Sequence, residues 1–354
     1  MAPYAAPEDP SVVAARAEIP PDQVIKLDAN ENPYGPSPEI PETLAGLEVF
    51  NRYPDPEQKA LRPPVAAYAG VDPDSVLLGN GSDELIDLLC RIYLEPGDEI
   101  VDCTPTFGMY TFSADLCGGR RIEVPRTPDW QVDVPAIYAA LTSRTKLIFV
   151  TAPNNPTGND LDETAARALA ATGRIVVIDE AYVEFAGRPS FARLVAEYPN
   201  VVVLRTFSKW AGLAGLRVGY GIFPPGIIEH LWKVKPPFNV NVAAEAAVLA
   251  TLHDQPRLQV RVAQLIAERA RMHAALSAVS RLKVWPSVAN YLLVQTDEPT
   301  SDRLKDRLAV HGVAVRTYAH PRLRNAVRIS VGLPAHTDAV VTAATEWARG
   351  EEGA

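Results

Sequence analysis

Cysteine is scarce. The chain of 354 residues has three, Cys90, Cys103 and Cys117, and none forms a CxxC pair. Such a set argues against a disulfide framework and fits a reducing compartment. Cys90 lies in an apolar helical pattern and reads as core. The six histidines are scattered with no HExxH or similar ligand spacing, so the sequence makes no case for zinc. No basic block offsets a formal net charge of −9, which disfavours nucleic acid as the main partner while leaving room for pockets that bind small anions. No apolar stretch is long enough to span a bilayer, and the opening MAPYAAPEDP lacks the basic start and apolar run of a signal peptide. A cytoplasmic protein is the expectation. Internal repeats and low-complexity tracts are also missing. What remains is globular in composition and long enough for a large domain plus a smaller one.

The N-terminal stretch to about Leu47 reads as irregular, with a turn-rich DANENPYGPSP. From Asn51 to about Pro237 helical patterns alternate with short apolar runs. Helices are predicted at Ser82–Leu94 and Leu161–Thr172, and strands at Glu99–Val101, Lys146–Val150, Arg174–Ile178 and Val201–Arg205. This alternation predicts an α/β domain with a mainly parallel sheet. Pro63 and Pro64 predict that a helix begins, or kinks, at that point. After Pro237, long helices at Val242–Leu252 and Arg257–Val279 precede a strand at Tyr291–Val294. A helix near Ser301–His311 and strands at Val313–Arg316 and Ala326–Val331 complete a smaller α+β region. The expected division is a large domain over 48–240 and a small one from 1–47 with 241–354.

Chemistry concentrates where predicted strands end. In VVVLRTFSKWAGLAGLRVGY, a strand leads to Thr206, Ser208 and Lys209, and Arg217 follows eight residues after the lysine. A lone lysine after a strand is usually a solvated surface residue. Here two hydroxyls, an arginine and the small Gly212, Ala214 and Gly215 suit a small anion held close to backbone. A lysine beside that anion is placed to form an imine with an aldehyde. In RIVVIDEAYVEF, Asp179 ends a buried strand, with Tyr182 three residues on. It is either a cap or a carboxylate that pairs with a protonated pyridine nitrogen. TAPNNPTGN is either a simple turn or a loop whose Asn155 donates to a ring oxygen. In GNGSDELIDLL, Gly81, Ser82 and Asp83 open a helix whose free N–H groups suit a phosphate, although the Asp83 side chain does not. Phe107 of PTFGMY is either core or a flat face for a ring.

These segments, with NRYPDP and VRISVG, resemble the fold-type I pyridoxal-phosphate aminotransferases, and within them the histidinol-phosphate group, from about Leu27 to Gly332. The resemblance implies a large domain with a mainly parallel sheet sandwiched by helices plus a smaller α+β domain, and pyridoxal 5'-phosphate as cofactor. It implies Lys209 as the Schiff-base lysine, with Ser208 and Arg217 as phosphate ligands. Asp179 falls on the pyridine nitrogen, Tyr182 with Asn155 on the ring 3'-oxygen, and Phe107 on the ring face. Tyr53 is implied to reach the phosphate of a neighbouring subunit's cofactor, which implies a homodimer with shared active sites. Arg328, Arg316 and Tyr34 are implied for substrate. The implied reaction is transamination of histidinol phosphate with 2-oxoglutarate. The same resemblance leaves an aromatic amino-acid donor or a threonine-phosphate decarboxylase-like activity as alternatives. Pro63–Pro64 and the segment YAHPRLRN, with Arg322 and Arg324, depart from the pattern.

Overall fold

The structure, a computed structural model, describes residues 8–350. By contacts the chain divides into two compact units. The first holds residues 35–155 and 160–259. The second holds, among the described residues, 8–34, 156–159 and 260–350.

In the first unit seven strands form one sheet. They are β1 (Val76–Gly79), β2 (Glu99–Asp102), β3 (Arg120–Glu123), β4 (Thr145–Thr151), β5 (Ile175–Asp179), β6 (Val201–Thr206) and β7 (Gly219–Ile222). Their spatial order is β1-β7-β6-β5-β4-β2-β3. Every pairing is parallel except the two made by β7, so β7 alone runs against the rest. This is the expected α/β architecture. The runs read as buried strands are buried on both faces. All six residues of β6 are buried, which is why they read as a continuous apolar run and not as an alternation.

The helix Ser82–Tyr93 buries Leu85, Ile86, Leu88, Leu89 and Cys90. These pack with Leu77, Leu147, Val177, Val202 and Leu204 of the sheet. Each such side chain contributes about 1.5–3 kcal/mol by leaving water. Cys90 is therefore core. A second helix spans Arg62–Ala69 and takes Pro63 and Pro64 in its first turn, where the missing N–H groups had no helical acceptor.

The second unit carries a four-stranded antiparallel sheet in the order Arg316–Thr317, Ala326–Ser330, Tyr291–Thr296, Leu282–Val284. Its core gathers Leu292, Val294, Val327 and Ile329 with Leu304, Leu308, Val340 and Trp347 from helices Asp302–Val310 and Pro334–Arg349. The segment predicted as one strand, Val313–Arg316, divides. Val313–Ala314 pairs in parallel with Ile25–Lys26, while Arg316–Thr317 joins the antiparallel sheet. The stretch before Leu47 is less irregular than its prolines suggest. It holds helices at Pro10–Ala17 and Ile40–Ala45, both with proline in the first turn. The first is capped by Asp9, whose carboxylate accepts the Ser11 N–H at 2.8 Å.

Candidate active site at the carboxyl edge of the sheet

Register places the candidate residues on one edge. Thr151 at the end of β4 pairs with Asp179 at the end of β5, and Asp179 pairs with Leu204 of β6. Thr206 and Gly79 both pair with Gly219, the first residue of the reversed strand β7. Parallel topology thus brings separate strand ends together, as in open α/β sheets generally.

At one end of this edge lies a candidate anion cradle. Ser82 opens its helix with no side-chain cap from Gly81. A helix start of this kind leaves N–H groups directed outward and carries partial positive charge. Gly81 has φ +77°, and a Cβ there would lie 2.6 Å from Arg217 Nη2. A Cβ on Gly219 would lie 2.5 Å from the Ser82 amide nitrogen and 2.9 Å from the Arg205 carbonyl oxygen. Arg217 itself takes a left-handed conformation, φ +52°. That costs a non-glycine residue about 1–3 kcal/mol, and the Arg217 guanidinium lies beside Gly81. The Ser208 amide donates to Thr206 Oγ1 at 3.1 Å, and Thr206 Oγ1 donates to Ser208 Oγ at 3.0 Å. These bonds fold the chain just before the half-buried Lys209. The Asp83 carboxylate does not face an anion; it accepts from Arg217 Nη2 at 3.0 Å.

Gly219 was not singled out in the sequence, where it is one glycine among several. Gly219→Ala forces a methyl group against the Ser82 amide. Its affinity for pyridoxal 5'-phosphate is expected to fall at least about tenfold, because a phosphate held by backbone N–H groups tolerates little displacement. A fluorescence titration measures this, and wild-type affinity would count against the cradle.

Asp179 sits in the middle of the edge, 3% exposed. When Asp179 is ionised, its Oδ2 accepts from the Tyr110 hydroxyl at 2.7 Å and its Oδ1 accepts from the Ala181 N–H at 3.0 Å. Burial pushes its carboxyl up to about 6, against the pull of those two bonds, and the nearby Asp83 and Glu180 push the same way. Tyr110 is stacked on Phe149 with ring centroids 4.6 Å apart. Its hydroxyl also contacts Thr151 Oγ1 at 2.8 Å. Phe107 is half-buried and meets Tyr110 edge-on at 5.7 Å. Tyr110 and Thr151 lie in the motifs PTFGMY and TAPNNPTGN, but the sequence assigns neither a role. The available signal was the helical spacing of Phe107 and Tyr110, but the bond to Asp179 spans 69 positions.

The segment after Asp179 is held by two ion-pair groups. Glu184 accepts from Arg205 Nη2 at 2.6 Å and from the Tyr68 hydroxyl at 3.1 Å. Glu180 accepts from Arg188 Nη1 at 2.9 Å, and Arg188 also holds Asp160. Charges this deeply buried persist only when paired. Within this frame Tyr182 is 5% exposed and Asn155 is half-buried. Tyr53 is 81% exposed and stacks on Phe238 at 4.4 Å.

The three substrate candidates all belong to the second unit. Arg316 and Arg328 are cross-strand partners. Arg328 is 6% exposed, donates through Nη2 to the Asp28 carbonyl oxygen, and lies over the Tyr291 ring at 5.4 Å. Tyr34 is half-buried, and its N–H donates to Asn32 Oδ1 at 3.0 Å. Among the described residues no helix is long and apolar enough to cross a membrane.

Residues 22–346 match the family described as aminotransferase class I and II. A histidinol-phosphate aminotransferase from Roseiflexus castenholzii is 47% identical over 95% of this chain and 93% of its own. A chloroplastic histidinol-phosphate aminotransferase from Nicotiana plumbaginifolia is 46% identical over 93% of this chain and 80% of its own. Among solved structures, histidinol-phosphate aminotransferase from Sinorhizobium meliloti in complex with pyridoxal-5'-phosphate superposes with a TM-score of 0.88 at 28% identity, covering 99% of this chain and 96% of that one.

Proposed function

The chain belongs to the aminotransferase class I and II family, and we propose that it moves the amino group of L-histidinol phosphate to 2-oxoglutarate, giving imidazole acetol phosphate and glutamate. The observation that carries the substrate is the identity, across nearly the whole chain, to relatives named for that activity. Histidine biosynthesis is the setting this assigns.

Pyridoxal 5'-phosphate is the cofactor, and the residues present fit it. The glycines at 81 and 219 leave room where a Cβ would meet Arg217 or the Ser82 amide. Asp179 is a buried carboxylate whose proton affinity burial raises, the setting in which a cationic ring nitrogen gains most. When bound, the cofactor supplies an electron-poor ring that accepts the electron pair left when the donor loses its Cα proton.

The remaining roles fall to this chain. The amides at Gly81, Ser82 and Asp83, with Thr206, Ser208 and Arg217, hold the phosphate. Asp83 serves through its backbone and orients Arg217 through its carboxylate. Lys209 would hold the cofactor through Nζ and would serve as the base for the donor's Cα proton. Asp179 would keep a proton at the ring nitrogen. Asn155 and Tyr182 would hydrogen-bond the ring oxygen, and Phe107 would pack on the ring face. Arg316 and Arg328 are assigned to the anionic ends of the two substrates, which bidentate guanidinium groups suit, and Tyr34 to the lining of the substrate pocket. The exposed Tyr53, already stacked on Phe238, is assigned to the phosphate of a second subunit's cofactor. That assignment makes the working form a homodimer with shared active sites; the cytoplasm is its proposed location.

A donor panel with 2-oxoglutarate tests the substrate. L-Histidinol phosphate is expected to give the highest kcat/KM, well above phenylalanine, tyrosine and threonine phosphate. Preference for an aromatic amino acid would move the assignment within the family. Carbon dioxide release from threonine phosphate without 2-oxoglutarate would replace transamination by decarboxylation.

A further inference from the structure

Behind Asp179 runs a row of hydroxyl groups. The Tyr110 hydroxyl lies 2.7 Å from Asp179 Oδ2 and 2.8 Å from Thr151 Oγ1. Thr151 Oγ1 lies 2.9 Å from Thr106 Oγ1, which lies 2.9 Å from Asn154 Oδ1. The Asn154 amide is oriented by its other end, because Nδ2 donates to the Pro105 carbonyl oxygen at 3.0 Å. Its Oδ1, an acceptor only, therefore faces Thr106.

The row contains four oxygen–oxygen contacts at hydrogen-bond distance, and each needs one proton. Tyr110, Thr151 and Thr106 supply three. Direction follows from the Asn154 end. Thr106 donates to Asn154, Thr151 to Thr106, and Tyr110 to Thr151. The fourth proton must then come from Asp179, donating to Tyr110. If Asp179 is ionised, Tyr110 turns its proton toward the carboxylate and one contact in the row loses its proton. A buried contact left without its proton costs free energy, so the row favours a protonated Asp179.

We propose that Tyr110, Thr151, Thr106 and Asn154 form a directional hydrogen-bond chain that stores a proton on Asp179 and yields it to a basic ring nitrogen docking there. In that transfer the Asp179 O–H bond breaks and an N–H bond forms. The carboxylate keeps the electron pair, and the Tyr110 proton swings from Thr151 to Asp179 Oδ2. No proton is drawn from solvent. Tyr110 is on this account a positioning residue. The charged groups near the row agree in sign: the carboxylates of Asp83 and Glu180 act on Asp179, and that of Asp102 on Tyr110, each opposing a further negative charge. Asp83 and Glu180 are paired with Arg217 and Arg188, and Asp102 accepts from Thr111 at 2.9 Å. The stored proton rests on the side-chain count alone; its delivery rests on the cofactor assignment above.

Removing one hydroxyl from the row changes the count. In Thr106→Val two contacts remain between Asp179, Tyr110 and Thr151, and two hydroxyl protons satisfy both with Asp179 ionised. In Thr151→Val the Tyr110 proton has only Asp179 left to serve. Both substitutions are nearly isosteric, and Thr106 contacts neither Asp179 nor Tyr110 in the row. In the full-length protein freed of cofactor, an infrared pH titration follows the protonated-carboxyl stretch that Asp179→Asn removes. The midpoint is expected to fall by about half to one pH unit in both variants, the size of one net hydrogen bond, and Thr106→Ser is expected to restore it. An unchanged or raised midpoint in either variant overturns the chain. Calorimetry of pyridoxal 5'-phosphate binding near pH 6, in buffers of different ionisation heat, reads delivery separately. Thr106→Val is expected to take up more protons per cofactor bound than wild type, and equal uptake overturns delivery. Absence of cofactor binding would instead overturn the cofactor assignment, leaving the infrared result to stand.

Discussion

Lys209→Ala is expected to lose transamination by about four orders of magnitude or more while the fold persists. The size follows from two roles in one amine. On the proposed assignment the lysine would both hold the cofactor and serve as the base for the donor's Cα proton. General-base catalysis alone is worth about 10²–10⁴ in rate, and covalent activation adds to it. The side chain is half-buried at a turn after β6, so its removal creates no core cavity. Stability is expected to change by less than about 1 kcal/mol. Cofactor binding should weaken without vanishing, because the Ser82 helix start, Ser208 and Arg217 are untouched. Steady-state rates, cofactor absorbance and thermal unfolding separate these effects. A variant that turned over histidinol phosphate normally would end the assignment of Lys209.

Asp179→Asn carries the second large effect, and its sign differs between activity and stability. Asparagine keeps the shape and the hydrogen bond to Tyr110, but it cannot balance a positive ring nitrogen. Turnover is expected to fall by about 10²–10⁴. Stability moves the other way. The Asp179 carboxyl is raised from the ordinary 3.8 to about 6 by burial. A carboxyl that binds its proton more tightly when folded favours the folded state most at low pH. That contribution is lost as pH rises from about 4 through 6. At pH 7 the ionised group therefore costs the cofactor-free protein stability, by up to about 3 kcal/mol for a shift of this size. The Asn variant should be as stable as wild type at pH 7 or more so, with the difference shrinking as pH falls toward 4. Denaturant unfolding at pH 4 and pH 7 measures it. Loss of stability at pH 7 greater than that at pH 4 would contradict the account, and near-normal activity would remove Asp179 from the chemistry. A residue whose replacement stabilises the fold while stopping the reaction is retained for function.

The sequence made legible whatever depends on local pattern. Strands β4, β5 and β6 are runs of β-branched and apolar residues closed by polar ones, because both their faces are covered. Thr151, Asp179 and Thr206 could be placed at strand ends for the same reason. Edge and reversed strands were harder. Arg120–Glu123 is largely charged and exposed, and Gly219–Ile222 carries two glycines, so neither has a strand's usual composition. The helix Pro10–Ala17 hid among prolines that read as turns, although proline in a first turn is a helix start. The site was legible to the extent that each residue follows a strand or opens a helix. The role of Gly219 depends on the Ser82 amide of another element. That of Tyr110 depends on a carboxylate 69 positions away. Long-range contacts of this kind leave no local periodicity.

Lys209 is the residue proposed to carry the cofactor. The holoenzyme treated with borohydride, digested and analysed by mass spectrometry tests it directly, because reduction fixes the lysine–cofactor linkage in place. A pyridoxyl-phosphate mass is expected on the peptide containing Lys209 and on no other peptide. The same mass on a different lysine, with Lys209 unmodified, would contradict it.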